Sequence, residues 1–480
     1  VSSRFDLCVV GAGSGGIGAA LAASRAGLEV LLLDSADRPG GTSTRGGVHA
    51  WEVSAGGTGI PFELYRRLRR IPKAVGITSI RRHCCFKPPL DAFPGGEAVV
   101  DPNRKYVDTL QRCGTRGLVR DEKRCRRQLH AVVFEPDALV RVVTKALAET
   151  GRCRTRWDSR VVSAETRGGL VVSVRLANGR KITADSWIDA SGDVALCRAC
   201  GCELMQGWDA RSRFGESSAP TRRHPDHLNG VTRLYRITPV SKPRIEPLPS
   251  GIPEKCWWRD SFPVMSCNQY PNGDMNCNML PTMEGSEFLS LSPVKALSET
   301  ERRVRAHWHD LQVRWPEFRR YRLKWIAPAI GVRETSRVVT EYVLREQDIT
   351  RGLSGQKHRD IVAITDHPCD RHGARGGIHG ELAEPYGIPY RCLVPRDFRN
   401  LLVACRGAGF SSIAASSCRL SRTMMQIGQA AGTAVSLAKQ IGCDLPEVSA
   451  DLLRASLREQ HVQLDWPLPP GLRQYLAADK

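Results

Sequence analysis

The sequence predicts an α/β fold in which a parallel sheet covered by helices is joined to a second, β-rich unit of α+β type. Three observations carry that prediction. The first forty residues read as strand, turn, helix and strand; a β-meander with its own turn signal occupies 170–188; and polar and apolar residues alternate again around 268–279. At 480 residues the chain is longer than one core usually organises and divides into two or three units. Its 41% hydrophobic and 25% charged residues exclude a disordered or collagen-like chain.

Taken in order, the apolar run Phe5–Val10 ends at Gly11-Ala12-Gly13-Ser14-Gly15-Gly16, and 17–26 is Ala-rich and favours helix. Gly11, Gly13 and Gly16 hold the three GxGxxG positions: a tight turn, a bare backbone beside a pyrophosphate, and close helix–strand packing. Ser14 and Gly15 open the helix, whose N-terminus offers partial positive charge to phosphate. Gly27 ends that helix, 29–33 forms a second apolar strand, and Asp34 follows 18 residues after Gly16, where an acid binds an adenosine ribose, with Ser35 beside it. A glycine-rich hairpin with a fortuitous acid is the alternative, and it must explain all of these features in register. Gly40, Gly41 and Thr42 then let the backbone pass close to a cofactor, which favours FAD over NAD.

Later segments extend the pattern, and together they resemble the FAD-dependent oxidoreductase family over most of the chain. The stretch 133–139 looks like the start of the family's helix before the adenine-contacting strand at 160–162, which includes Val162. The meander of 170–176, an Asn178-Gly179 turn and 181–188 ends in Asp189-Ala190-Ser191-Gly192-Asp193, similar to the family's second flavin signature. Segments 331–337 and 386–391 resemble those lining the isoalloxazine face. The run 400–406, closing on Arg406, and the helix through 419–431, with Gln426 and Gly428, resemble the last flavin contacts. The resemblance implies a Rossmann-like FAD-binding domain of glutathione-reductase type and non-covalent FAD. It also implies a late helix whose N-terminus stabilises negative charge on the reduced flavin.

The chain departs from a disulfide-reductase plan. No second strand–GxGxxG–helix–acid unit follows in mid-chain, since Gly407-Ala408-Gly409 has Ser412 where the third glycine belongs, and no CxxxxC pair follows the first glycine pair. Direct hydride exchange between a small polar organic substrate and flavin N5 is therefore the expected reaction.

Such chemistry needs a base for the departing proton and groups that orient substrate. The richest constellation is 366–373, where Pro368, Asp370 and His372 match the family's Pro-x-Asp-x-His pattern. His372 is the expected acid or base, Asp370 its orienting partner, and Arg391 the third catalytic residue, suited to a carboxylate or a reduced-flavin anion. Alternatively, Asp370 and His372 cap a loop. His49, Arg333, Glu334 and Tyr390 are expected to line the substrate pocket; a structural ion pair of Arg333 with Glu334 and a packed His49 are the competing readings. The alternating strands at 268–279 roof the flavin or face solvent.

Charge and cysteines bound the rest. The net charge is +20, and 63–130 alone carries 17 Lys/Arg against 7 Asp/Glu. Seventeen scattered cysteines suggest reduced, packed thiols; Cys197, Cys200 and Cys202 lack the rest of a zinc set, so no metal is expected, and the adjacent Cys84 and Cys85 read as buried side chains. The expected domains are FAD-binding at 1–62, 131–210 and 391–445, a basic insertion at 63–130, a substrate domain at 211–390 and a tail at 446–480. Partners are a small molecule and an electron acceptor that stays open, with nucleic acid disfavoured and a homo-oligomer possible. No run reaches the length of a membrane span, and the cytoplasm is the expected compartment, although Val1 in place of Met is consistent with a removed presequence. Two further functions remain: a tRNA-modifying flavoprotein, which would use the charge, and an electron-transfer subunit resembling that of heterodisulfide reductase, which would need iron–sulfur cysteines.

Overall fold

The computed structural model describes residues 4–82, 95–114, 122–252, 265–279, 281–373 and 380–478; Cys84 and Cys85 lie outside them. Its first sheet grows from β1 (Phe5–Val10), which is buried at every position but Asp6. That burial follows from its place: parallel neighbours flank it on both sides, β2 (Val30–Leu33) and Lys181–Asp189. Cys153–Arg156 extends the parallel run beyond β2, and Leu401–Val403 extends it beyond Lys181–Asp189. The start of Lys181–Asp189 also pairs antiparallel with Leu170–Leu176, which pairs with Val161–Arg167, so the meander hangs from the same sheet.

Between β1 and β2 runs α1 (Ser14–Arg25), and against it lies the long helix α2 (Ser421–Ile441). Their contact is backbone to backbone. A Cβ on Gly18 would stand 2.1 Å from the Met425 carbonyl oxygen, one on Gly428 1.9 Å from that of Gly15, and one on Gly432 2.3 Å from that of Ala19. Glycine inside a helix costs about 1 kcal/mol against alanine. Here the close approach offsets that cost through dense packing.

The second sheet has eight strands among the described residues, ordered Tyr321–Ile326, Tyr235–Pro239, β4 (Met275–Met279), β3 (Met265–Gln269), Gly95–Val100, Val75–Arg82, His130–Phe134 and Ala50–Trp51. The pairing is antiparallel except between β3 and Gly95–Val100. This topology corrects the expectation of a separate basic insertion at 63–130. That segment supplies two interior strands and an adjoining third, with Ile77, Thr78 and Ala98 buried and Arg81 and Arg82 at a strand end, while Arg66, Arg67 and Arg69 lie on the helix Ile60–Arg69 before them. Charge marked a solvated face here, not a boundary.

On β3 and β4 the side chains alternate with the two-residue period of a strand. Met265, Cys267, Met275, Cys277 and Met279 enter a core with Val304, Trp308 and Leu311 of the helix Pro293–Arg314. Ser266, Asn268, Asn276 and Asn278 face the opposite way, onto a cavity. The described cysteines are all free thiols, most of them buried. No helix among the described residues is long and apolar enough to cross a membrane.

Candidate active site

The carboxyl ends of β1, β2 and Lys181–Asp189 meet at a strip of bare backbone. Gly11 takes φ +103°, and a Cβ there would lie 2.5 Å from the Ser191 nitrogen, so only glycine fits between the strand ends. Gly16 is equally constrained, its Cβ falling 1.7 Å from the Gly11 carbonyl oxygen. Gly13 differs: a Cβ there meets nothing within 4 Å. Open space therefore stands before the N-terminus of α1, whose amides have no side-chain cap and no acid in the first turn. Gly41, at φ +51°, closes the far side, with Gly40 at φ +108° before it.

Around this strip stand the other cofactor candidates. The Asp34 carboxylate accepts from the Ala12 amide at 2.5 Å and the Ala36 amide at 2.7 Å, fixing the end of β2 to the glycine turn; burial nonetheless raises its pKa. Ala190 is buried against Gly11, and Ser191 donates to Asp189 through both its amide and hydroxyl, at 2.9 and 2.6 Å. The Arg406 guanidinium lies over Gly192, 2.7 Å from where a Cβ would be. Its Nε is buried with no partner, and burial lowers its pKa. Ser35, Val162 and Asp193 are exposed.

Beyond Thr42 and Arg406 opens a cavity of about 500 Å³. β3 and β4 roof it with Ser266, Asn268, Asn276 and Asn278; the start of α2 floors it with Ser421 and Arg422; and 367–372 forms a wall. Two histidine–carboxylate pairs face the void. His372 Nε2 lies 2.7 Å from an Asp370 oxygen, and Arg419 approaches the same oxygen at 3.5 Å. Burial raises the Asp370 carboxyl, but the His372 hydrogen bond and the nearby positive charges outweigh it and hold the group well below the usual carboxylate range. Burial and the Arg333 charge together bring His372 down to about 4, against the pull of Asp370. His372 is thus a neutral imidazole beside a carboxylate. With Nε2–H donating to Asp370, the lone pair remains on Nδ1.

The second pair is His367 with Glu52, at 3.5 Å. His367 is buried with Nδ1 lacking a partner. Glu52 faces the void with its side chain half exposed; partial burial opposes its charge, yet His367 and Arg112 hold its carboxyl below the usual range. Arg112 holds Glu381 through two bonds of 2.8 and 2.7 Å, and Asp366 accepts from the amides of Ala55, Arg112 and Cys113, locking the strand end to both neighbouring loops.

Of the substrate candidates, His49 and Arg333 line the cavity. His49 bonds to the Tyr270 hydroxyl and to the Thr44 carbonyl oxygen at 3.3 Å, and burial brings it down to about 4. Glu334 is turned away, accepting from the Asn229 amide at 3.1 Å. Two further sequence expectations, for Arg391 and Tyr390, are corrected with that for Glu334. Arg391 sits on a turn after Tyr386–Pro389 and grips Asp360 at 3.0 and 3.1 Å, half in solvent, outside the cavity. Tyr390 donates to the Leu445 carbonyl oxygen at 2.8 Å in the core. Tyr386–Pro389 pairs with Ile361–Thr365, and the turn that follows carries both side chains away from the cavity. Along α2, Gln426 is buried against Gly56, and Gly428 packs on Gly15 of the glycine turn. Residues the sequence did not single out, Glu52, Arg112, His367, Glu381 and Arg419, line the cavity instead.

Open space before bare amides, next to a lined cavity, marks a protein that holds an extended nucleotide cofactor at the end of a parallel sheet. Comparison with known sequences makes the class definite: the chain belongs to the FAD dependent oxidoreductase family, whose profile matches residues 6–457. Its cofactor is FAD. No curated protein matches the sequence. Among solved structures, a geranylgeranyl bacteriochlorophyll reductase-like protein from Thermoplasma acidophilum is similar at TM-score 0.45 and 11% identity, covering 100% of this chain and 96% of that one. The anhydrotetracycline hydroxylase OxyS from Streptomyces rimosus is similar at 0.42 and 15%, covering 95% and 66%. The halogenase PltM is similar at 0.41 and 11%, covering 95% and 73%.

The residues present fit FAD. Gly13 and the uncapped start of α1 suit a pyrophosphate, and Arg406 is a half-buried cation with no carboxylate within 4 Å among the described residues. The start of α2, also without an acid in its first turn, faces the cavity where negative charge would develop on a reduced flavin.

Proposed function

We propose that the protein oxidises a small polar organic molecule by moving hydride to flavin N5, with His372 taking the accompanying proton. The observation that carries this reading is the Asp370–His372 pair, set 2.7 Å apart on the wall of the cavity that adjoins the cofactor strip. FAD, held by Gly11, Gly13, Gly40–Thr42, 190–192 and Arg406 in a domain of glutathione-reductase type, supplies the two-electron acceptor.

The chain's own residues do the rest. Asp370 stays ionised and fixes the imidazole tautomer, leaving Nδ1 to accept a proton from a substrate hydroxyl or amine. The Asn229 side chain holds the loop in place, accepting from the His372 amide at 2.7 Å and donating to the Asp370 carbonyl oxygen at 3.2 Å. Asn268, Asn276 and Asn278 give the roof donors and acceptors for a hydroxylated substrate. The apolar walls of Val48, Trp51 and Leu234 exclude bulk water.

An anaerobic screen of hydroxy acids, amino acids, sugars and amines tests this reading through bleaching of the flavin band. A substrate deuterated at the oxidised carbon should bleach it more slowly. An unchanged rate with that substrate, where bleaching is rate-limiting, contradicts hydride transfer.

A further inference from the structure

The cations of the cavity are not equally compensated. Arg112 is paired with Glu381, and Arg422 donates to Thr109 and to the Glu52 carbonyl oxygen. Arg419 reaches Asp370, while Arg406 belongs to the cofactor strip. Arg333, like Arg422, has neutral acceptors alone, and fewer of them: one guanidinium nitrogen donates to the Gly230 carbonyl oxygen at 2.6 Å and to the Thr232 hydroxyl at 2.8 Å. No carboxylate lies within 4 Å of it among the described residues. Its neighbour Glu334 is committed to the Asn229 amide. Burial and the adjacent Arg419 bring Arg333 down to about 9, against the weaker pull of the more distant Asp370 and Glu52 carboxylates.

The same short segment ties this arginine to the proton acceptor. Gly230, whose carbonyl oxygen receives Arg333, donates its own amide to the His372 carbonyl oxygen at 2.8 Å. Asn229 next to it holds the His372 amide. Cation and base are therefore mounted side by side on one anchored piece of backbone. The charge of Arg333 is also the largest influence on His372 after burial itself.

We propose that the cavity takes a small organic carboxylate whose oxidisable hydroxyl or amine lies close to the carboxyl group, and that Arg333 binds the carboxylate. This rests on the oxidoreductase reading above and names its substrate class. The guanidinium matches a carboxylate in shape and charge. The substrate loses a hydride from carbon to flavin N5 and a proton from its hydroxyl or amine to His372 Nδ1. The product is the corresponding keto or imino acid, and FAD gains two electrons.

The test is calorimetric titration of the FAD-loaded protein with a panel of two- to six-carbon 2-hydroxy and 2-amino carboxylates, each matched with its neutral amide. At least one carboxylate should bind about tenfold or more tightly than its amide, the scale of a charge-assisted pair. Arg333→Gln should erase that preference with FAD retained, and Arg333→Lys should restore part of it. If Arg333→Gln fails to fold, the carboxylate-to-amide ratio in the wild type still decides. Equal binding of acid and amide, a preference intact in Arg333→Gln, or no binding across the panel overturns the proposal. So does an Arg333→Gln protein altered only in its flavin reduction potential, since the arginine would then serve the flavin. Carboxylates that bind and never reduce FAD would contradict the oxidation reading while leaving the anion site standing; reduction by neutral substrates alone would do the reverse.

Discussion

At the scale of single residues, the glycines of the first turn divide into two kinds, and the division is measurable. A side chain on Gly13 enters open space, so Gly13→Val should fold with a melting temperature near wild type and lose FAD. A methyl on Gly16 collides with the Gly11 carbonyl oxygen, so Gly16→Ala should destabilise the protein itself by about 1–3 kcal/mol. Thermal denaturation beside flavin content separates the outcomes, and a Gly13→Val protein that keeps its FAD would show that the open space serves something else. His372 carries a pH prediction. Because burial and Arg333 bring it down to about 4, it is unprotonated throughout the neutral range. The reductive rate constant should then stay level as pH falls to about 5 and decline only near 4. A decline centred near the ordinary histidine value of 6.5 would mean that His372 is not held neutral or is not the base.

At the scale of elements, the α1–α2 contact links cofactor and cavity, since α1 begins at the glycine turn and α2 at the cavity floor. Gly428→Ala puts a methyl 1.9 Å from the Gly15 carbonyl oxygen and must push the helices apart. About 1–3 kcal/mol of stability should be lost, with weaker FAD retention because Gly15 borders the pyrophosphate turn. Denaturant titration with and without added FAD reads both effects; an unchanged midpoint would show that the helices yield freely. Legibility in the sequence follows the same division. β1, the glycine turn, α1, β2 and Asp34 could be read because each is fixed by neighbours in the chain. The Asp370–His372 contact was legible for the same reason, the two being two residues apart. Arg391 and Tyr390 were not: proximity to a flavin-face segment says nothing of which way the following turn points, and here it points to Asp360 and Leu445. Glu52, Arg112, His367 and Arg419 come from distant segments, and only tertiary folding brings them to one cavity. The polar alternation of β3 and β4 was visible, but whether it faced solvent or a void depended on strands elsewhere.

At the scale of the whole molecule, the excess of positive charge proved a poor guide to boundaries, because strands on both sides of 63–130 enter one sheet with it. Buried histidines contribute to the response to acid. Burial brings His49 down to about 4 and His307 to about 3, and burial with Arg333 brings His372 to about 4. Unfolded, each binds a proton near 6.5. At these histidines the unfolded chain therefore holds more protons than the folded one between about 6.5 and 4, and their contribution to stability is lost as pH is lowered through that window, while Asp189, which burial brings up to about 6, contributes with the opposite sign. Each histidine adds up to about 1.4 kcal/mol per pH unit there. Denaturant titrations at pH 7, 6 and 5, each protein taken relative to its own value at pH 7, should show the wild type losing more stability, or gaining less, than His307→Asn as pH falls. An identical pH dependence in the two proteins would contradict the burial of a neutral His307.

The most direct test of the account is the anaerobic reduction of bound FAD, followed by stopped flow with the best substrate of the screen, in wild type and His372→Gln. Both proteins should be yellow with equal FAD content, and reduction in the variant should be slower by about 10²–10⁴. Equal rates in the two proteins would contradict the assignment of His372 as the group that takes the proton.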